Sequence, residues 1–214
     1  MIELLAPAKN KDVAFSAIDC GADAVYIGAT DFGARKKASN SLDDIKEVVN
    51  YAHKFWAKVY VTLNTILTDS ELDKAVQLVK QLDKAGVDAL IIQDFGLLYR
   101  LMELNLPIHI HMSTQCDNST IEKIEFFNKI GVSRVVLARE TTIEQMKNIH
   151  KRFPDLELEN FIHGALCVSY SGQCYLSQYI GGRSANRGEC AQPCRKKYTV
   201  ETTDGKVIKK DFPI

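Results

Sequence analysis

Four of the six cysteines crowd into one stretch, at Cys167, Cys174, Cys190 and Cys194, with the spacing C-x6-C-x15-C-x3-C. Thiolates at short fixed spacings suit soft metals and iron–sulfur clusters. The paired C-x2-C knuckles of a zinc ribbon are missing, so zinc is the less favoured metal. A disulfide framework is not expected, because the N-terminus MIELLAPAKNK lacks the basic-then-apolar order of a secretory signal. The competing reading is four reduced, buried, inert cysteines. Gly164, Gly172, Gly181, Gly182 and Gly188 around them suit a loop wrapped about something better than a core. Cys20 and Cys116 lie elsewhere, although Cys116 follows a strand and could approach the same site.

A second chemical feature adjoins the first. Residues 182–197 carry Arg183, Arg187, Arg195, Lys196 and Lys197 against one acid, Glu189, beside Tyr170, Tyr175, Tyr179 and Tyr198. Cations hold phosphates and aromatic faces stack bases, so RNA is the expected partner of this surface. A solvated basic loop is the plainer alternative. Formal net charge is zero, so the molecule as a whole does not attract nucleic acid.

The elements that must position these groups alternate between strand and helix. Apolar runs predict strands near residues 2–6, 24–29, 58–64, 89–93, 108–113, 134–138 and 157–163. Pro7 is read as stopping the first of them. Asn10 or Asp12, Ser41, and Asp69 or Ser70 are candidate helix caps. One helix is expected to bury Ile45, Val48, Val49, Ala52 and Trp56, and the next Leu72, Ala75, Val76, Leu78, Val79 and Leu82. The segment 30–40, with Arg35, Lys36 and Lys37, reads as a polar loop. Gly21-Ala-Asp-Ala-Val-Tyr-Ile is echoed at Gly86-Val-Asp-Ala-Leu-Ile-Ile and at Gly131-Val-Ser-Arg-Val-Val-Leu, as if each glycine closes a helix and launches a strand. Short apolar strands alternating with amphipathic helices imply an α/β fold with a parallel sheet. About seven such units point to an incomplete (β/α)8-like TIM barrel, and no G-x-G-x-x-G follows any strand. The organisation read here is barrel units over 1–165, a Cys-rich segment over 166–197, and a β-hairpin over 198–214 with a tight Asp204-Gly205 turn. The eighth unit is missing, so self-association or a partner that completes the barrel is expected.

Barrel chemistry sits at the C-terminal ends of strands. The polar residues there are Asn64, Gln93, Asp94, Ser113, Gln115, Arg139, Glu140 and His163. The fifth strand alternates His109, His111 and Ser113 against Ile108, Ile110 and Met112; the seventh sets Glu157, Glu159 and His163 against Leu158 and Ile162. His163, Glu159, Asp94 and His111 are therefore the candidate catalytic residues. The structural alternative makes the histidines hydrogen-bonded rim groups, and Asp94 and Glu140 helix caps. At 46% hydrophobic and 25% charged, with no run of eighteen apolar residues, the composition suits a soluble cytoplasmic enzyme that does not enter a membrane.

The stretch Glu159-x-Phe161-x-x-Gly164-Ala165-Leu166-Cys167-x4-Gly172-x-Cys174-x-Leu176-Ser177 resembles the signature of the collagenase-like peptidase family. Gly182-Arg183-Ser184-Ala185-Asn186-Arg187-Gly188-Glu189-Cys190-Ala191-Gln192-Pro193-Cys194-Arg195 is similar to that family too, as are the opening Glu3-Leu4-Leu5-Ala6-Pro7-Ala8 and Gly21 to Tyr26. Members of the family continue well beyond a chain of this length, so the resemblance implies a C-terminally truncated member. Some members are called proteases. Others are prephenate-dependent, oxygen-independent hydroxylases of ribosomal RNA, transfer RNA or ubiquinone precursors, and carry a 4Fe–4S cluster. The resemblance implies Cys167, Cys174 and Cys190 as cluster ligands with Cys194 as the fourth, or a fourth from outside this chain. Arg183, Arg187 and Arg195 would then suit the two carboxylates of prephenate. The wording of residues 184–194 is nearest to the ribosomal-RNA branch. The competing classes are a peptidase and a non-catalytic subunit with a structural cluster; the sequence holds no H-E-x-x-H and no G-x-S-x-G.

Overall fold

A computed structural model describes residues 2–35, 38–165 and 167–213, with the side chains of 211–213 left aside. Lys36 and Lys37 of the basic loop and Leu166 of the cysteine block lie outside the described residues. Seven parallel strands pair strictly in chain order: β1 (Leu5–Ala8), β2 (Ala24–Ala29), β4 (Lys58–Leu63), β5 (Ala89–Ile92), β6 (His109–Met112), β7 (Arg134–Val136) and β8 (Glu157–Glu159). A two-residue strand, β3 (Ser39–Asn40), adds to the end of β2 inside the segment expected to be loop. The helices α1 (Lys11–Asp19), α2 (Leu42–Ala52), α3 (Asp69–Lys84), α4 (Phe95–Leu104), α5 (Ile121–Lys129) and α6 (Ile143–Arg152) fill the crossovers. Among the described residues β1 and β8 each have one neighbour along this path, so the wall is open between them: an incomplete α/β barrel of seven strands. Among the described residues no helix is long and apolar enough to cross a membrane.

Alternation along the strands builds two layers. Val25, Ile27, Val59, Val61, Leu63, Leu90, Ile92, Met112 and Val135 face outward into one core with Ile18, Ile45, Val48, Val79, Leu82, Leu97, Leu101, Ile124, Phe127 and Ile149 of the helices. Each such aliphatic side chain stabilises the fold by ~1.5–3 kcal/mol when fully buried. Ala24, Tyr60, Ala89 and Ile91, with Leu5 and Tyr26 against them, form a small separate apolar group on the inner face.

The glycine-led repeat has a shared geometry. Gly21, Gly86 and Gly131 all adopt positive φ, at 94°, 81° and 82°, just past α1, α3 and α5. Two residues on, the backbone N–H of Asp23, Asp88 and Ser133 donates to Leu4, Val59 and Ile110 on the neighbouring strand. The side chains return the contact: Asp23 and Asp88 accept from the Leu4 and Val59 amides, and the Ser133 hydroxyl donates to the Ile110 carbonyl. The repeat therefore sets strand register as well as ending helices.

Several local expectations need correction. Pro7 lies inside β1, paired with Tyr26, rather than ending it; an edge strand has one unpartnered side where a missing N–H costs nothing. Trp56 is 93% exposed at φ 61°, because α2 ends at Ala52 and the chain must reverse before β4. Thr68, not Asp69 or Ser70, precedes α3, and its N–H and hydroxyl both donate to Glu71. Most consequential, β8 stops at Glu159. The expected hairpin is present as antiparallel strands β9 (Lys197–Glu201) and β10 (Val207–Pro213) in a sheet of their own.

Inside the lower barrel, Arg134 of β7 is 7% exposed and surrounded by carboxylates. Its guanidinium donates to Glu3 at 2.6 Å and to Glu157 at 2.6 and 2.8 Å, and lies 3.6 Å from Glu159. Removing the cation would leave Glu3 and Glu159, both largely shielded from water, facing one another without it. Arg134→Met is expected to lower the unfolding free energy by ~3–5 kcal/mol, read as a fall in the urea midpoint at neutral pH; a midpoint equal to the parent's would show that the network carries no stability.

Candidate active site at the barrel mouth

The floor of the site is polar because His111 of β6, Arg134 of β7, and Glu157 and Glu159 of β8 take inward positions. Tyr60 donates to both Glu3 oxygens, at 2.9 and 3.0 Å, and the Arg134 guanidinium stacks 5.1 Å over its ring. His111 meets the same ring edge-on, with centroids 4.7 Å apart. Burial, with Arg134 adding repulsion, lowers its pKa to about 3, so it is a neutral imidazole. Its buried Nδ1 has no hydrogen-bond partner.

Above this floor opens a cavity of about 570 Å³ at the C-terminal strand ends. Glu159, Ile91, Val136 and Tyr26 line its depth; Lys9, Arg35 and Arg139 bring cations to its upper part, with Asn64, Gln115 and Phe161 nearby. Glu159 reaches into it from the last strand, and its Oε2 is buried without a hydrogen bond. Burial drives its carboxyl up to about 7; Arg134 pulls the other way, while Glu3 and Glu157 add to the rise. Arg139 also carries a buried Nε with no partner.

The Cys-rich segment is strapped over this mouth at two points. Fully buried Ser171 receives Glu140: its N–H and hydroxyl donate to the two carboxylate oxygens at 3.0 and 2.9 Å, and its Oγ accepts from the Arg139 amide. Gly172 follows at φ 74°, pressed so closely on the Gln115 carbonyl that a Cβ would overlap it. At the other end, Ile66 N–H donates to the Asn186 carbonyl, and Arg187 forks onto both oxygens of Glu71 at 2.7 and 3.1 Å. Arg187 holds the Glu71 carboxyl down at about 2. Between the anchors lies the short helix α7 (Leu176–Gly181), with Tyr179 91% exposed.

The candidate residues divide accordingly. Glu159 faces the cavity; His111 lies in the floor cluster and does not line the cavity. His163, expected on the polar face of the seventh strand, is exposed beyond the end of β8, where the chain no longer follows a strand period. Asp94 is a cap: its two oxygens accept from Leu97 and Leu67 amides at 2.9 and 3.0 Å, which leaves it a structural carboxylate. Arg187 is spent on Glu71, and Arg183 donates to the Glu189 carbonyl. Neither they nor Arg195 line the cavity, so the expected carboxylate-binding role has no geometric support there. Cys116 is half-buried near Gln93, and desolvation pushes its thiol up to about 12, which makes it inert. Sequence reasoning missed Tyr26, Lys9 and Phe161 as cavity residues, and Arg134 as the floor cation. The alternation of β2 and β7, which turns Tyr26 and Arg134 inward, is the signal that could have found two of them.

The four thiols have the donor chemistry of a soft-metal site. Cys167 and Cys190 are exposed and Cys174 and Cys194 half-buried, and among the described residues no three of His, Cys, Asp or Glu converge as metal ligands. As folded here, the cysteines do not form a ligand shell that fits a cluster.

The state of Glu159 has a measurable consequence. Its ordinary value is 4.5, so between there and about 7 the folded protein holds a proton that the unfolded chain releases. The stabilisation from that proton is complete at low pH and is lost as pH rises through 7. Glu159→Gln cannot ionise, and is expected to gain up to ~3 kcal/mol over the parent between about pH 5 and about pH 8. Urea unfolding across that range reads the difference; a gap independent of pH would mean that Glu159 titrates normally.

The sequence pattern described as Peptidase family U32 matches residues 9–212. A 23S rRNA 5-hydroxycytidine synthase of Escherichia coli is 53% identical over 97% of this chain, which spans 31% of that protein. A tRNA hydroxylation protein of Bacillus subtilis is 39% identical over 95% of the chain, which spans 48% of it. The chain thus covers half or less of the length of these relatives. The solved structure of a U32 peptidase superposes with a TM-score of 0.63 at 14% identity, covering 75% of this chain and 68% of the other, which is a likeness of fold. With nearly its whole length inside the family's pattern, the chain belongs to peptidase family U32.

Proposed function

We propose that this chain forms the barrel of an enzyme that hydroxylates RNA, ribosomal RNA first and transfer RNA second. The observation that carries the reading is the 53% identity with the 5-hydroxycytidine synthase, which runs through both the barrel and the Cys-rich strap. The geometry supports it. A cavity opens at the strand ends, where barrel enzymes work. Over it lies a strap bearing exposed Tyr170, Tyr175 and Tyr179. A peptidase of thiol or hydroxyl type needs a nucleophile beside a base. His111 is buried and neutral, Cys116 is inert, and among the described residues the histidine hydrogen bond found is His53 to Asp88, on the outer surface.

The reading includes prephenate or a relative as co-substrate. Arg139, with its unpartnered buried Nε in the cavity, is the cation placed to meet a carboxylate of such a molecule. It also includes a 4Fe–4S cluster on Cys167, Cys174, Cys190 and Cys194, which requires their loops to draw together from the arrangement described above. The thiols' softness and spacing support that part of the reading.

Nucleoside mass spectrometry of ribosomal and transfer RNA from the parent organism, with the gene deleted and restored, tests the function. A pyrimidine nucleoside heavier by one oxygen is expected to vanish and return; unchanged profiles in both RNA pools would end the reading. The cluster is tested separately on protein purified without oxygen. Iron and acid-labile sulfide are expected together, and to be lost in Cys167→Ser. Metal-free protein that still restores the nucleoside would remove the cluster from the account.

A further inference from the structure

We propose that the barrel-mouth cavity receives a single pyrimidine base turned out of its RNA strand, its edge against Glu159, its faces against Tyr26 and Phe161, and its flanking phosphates at Lys9 and Arg35. The inference rests on the RNA reading and adds where the base goes and what reads it. A ring atom inside stacked RNA is out of reach of groups held within a barrel, so enzymes acting on bases extrude them.

The dimensions fit. The cavity, at about 570 Å³, falls within the ~300–1,000 Å³ of small-ligand sites. Its walls offer what a flat heterocycle needs: the Tyr26 and Phe161 rings and the apolar side chains Ile91 and Val136. Its depth offers a carboxyl edge: Glu159 lines the cavity, and its buried Oε2 makes no hydrogen bond, the nearest cation being Arg134 at 3.6 Å. A protonated carboxyl presents one donor and one acceptor side by side. Cytosine shows the complement through its ring nitrogen and amino group, and uracil shows it in reversed order. Burial keeps that proton on Glu159 up to about neutral pH. The groups facing it are Arg134 at 3.6 Å, Glu3, Glu157 and Tyr26. Lys9 and Arg35 sit at the mouth, outside the floor network, where the strand's phosphates would pass. Tyr170, Tyr175 and Tyr179 on the strap continue the aromatic surface beyond the rim for neighbouring unstacked bases.

The test uses the full chain and a short single-stranded RNA with one pyrrolocytidine, whose emission rises on leaving the stack, between adenosines. Affinity is read from anisotropy and base position from emission. Binding is expected to raise emission about twofold or more, and Phe161→Ala and Glu159→Leu to remove most of that rise while weakening affinity less than about fivefold. Glu159→Gln should keep the rise, because an amide also pairs one donor with one acceptor. Phe161 is half exposed, so its variant stays informative even if the Leu variant fails a circular-dichroism check. Binding without a rise would overturn the cavity assignment and leave the RNA reading standing. A rise that persists in Phe161→Ala, and in a folded Glu159→Leu, would place the unstacked base elsewhere and overturn it as well. An oligonucleotide that does not bind at all would remove both.

Discussion

A single buried guanidinium organises the interior of this protein. Arg134 enters the barrel because its strand alternates, and it can stay there only because Glu3, Glu157 and Glu159 surround it. The arrangement ties the N-terminal segment to the last two strands of the sheet, across a wall that does not close by backbone pairing alone. It also decides the chemistry next to it. Tyr60, buried and held by Glu3, keeps its proton although the guanidinium over its ring pulls the other way. His111, buried and beside a fixed cation, does not gain one. Glu159, set farthest from the charge and deepest among the acids, loses the competition for Arg134 and retains its proton near neutrality. The floor therefore combines an ion network that stabilises it with a carboxyl that burial, against the pull of Arg134, raises to about 7.

The strap depends on a different balance. Fully buried Ser171 donates twice to the carboxylate of Glu140 at the surface, whereas Arg187 and Glu71 make an exposed fork whose strength comes from geometry rather than burial. Both anchors act on loops that follow barrel strands, so the segment bearing the cysteines and the exposed tyrosines is registered to the cavity mouth. Arg139 belongs to both regions: its amide bonds Ser171 and its side chain lines the cavity. Any movement of the strap is felt at that arginine.

Much of this was legible in the residues. The outward faces of the strands were, because a parallel sheet covered by helices demands apolar runs, and the helix-closing glycines announced themselves by repeating. What the sequence concealed has physical causes. A strand's end is set by its neighbour's length, so β8 stopping at Glu159 left His163 off the sheet. Trp56 kept the helical period that α2 had already abandoned. A helix-starting carboxylate such as Asp94 and a catalytic one have the same signature until its amide donors are seen. The arginines of residues 183–195 advertised an anion site, but what a guanidinium holds depends on which acid lies near it in space, and Glu71 is 116 residues away along the chain. The cysteine spacing was plain, yet spacing does not fix how turns present thiols.

The contact between Glu3 and Arg134 joins residues 131 positions apart, whereas every strand of the wall pairs with the one just before it along this path. Such a sheet can be laid down vectorially as a ribosome delivers it, each unit adding to the last with little loop entropy to overcome. The floor cannot. Glu3 emerges first, can meet Tyr60 once β4 is made, and must wait until β7 arrives to supply Arg134. Closing that ion network is therefore a high-contact-order step, which turns a growing curved sheet into a bounded cavity.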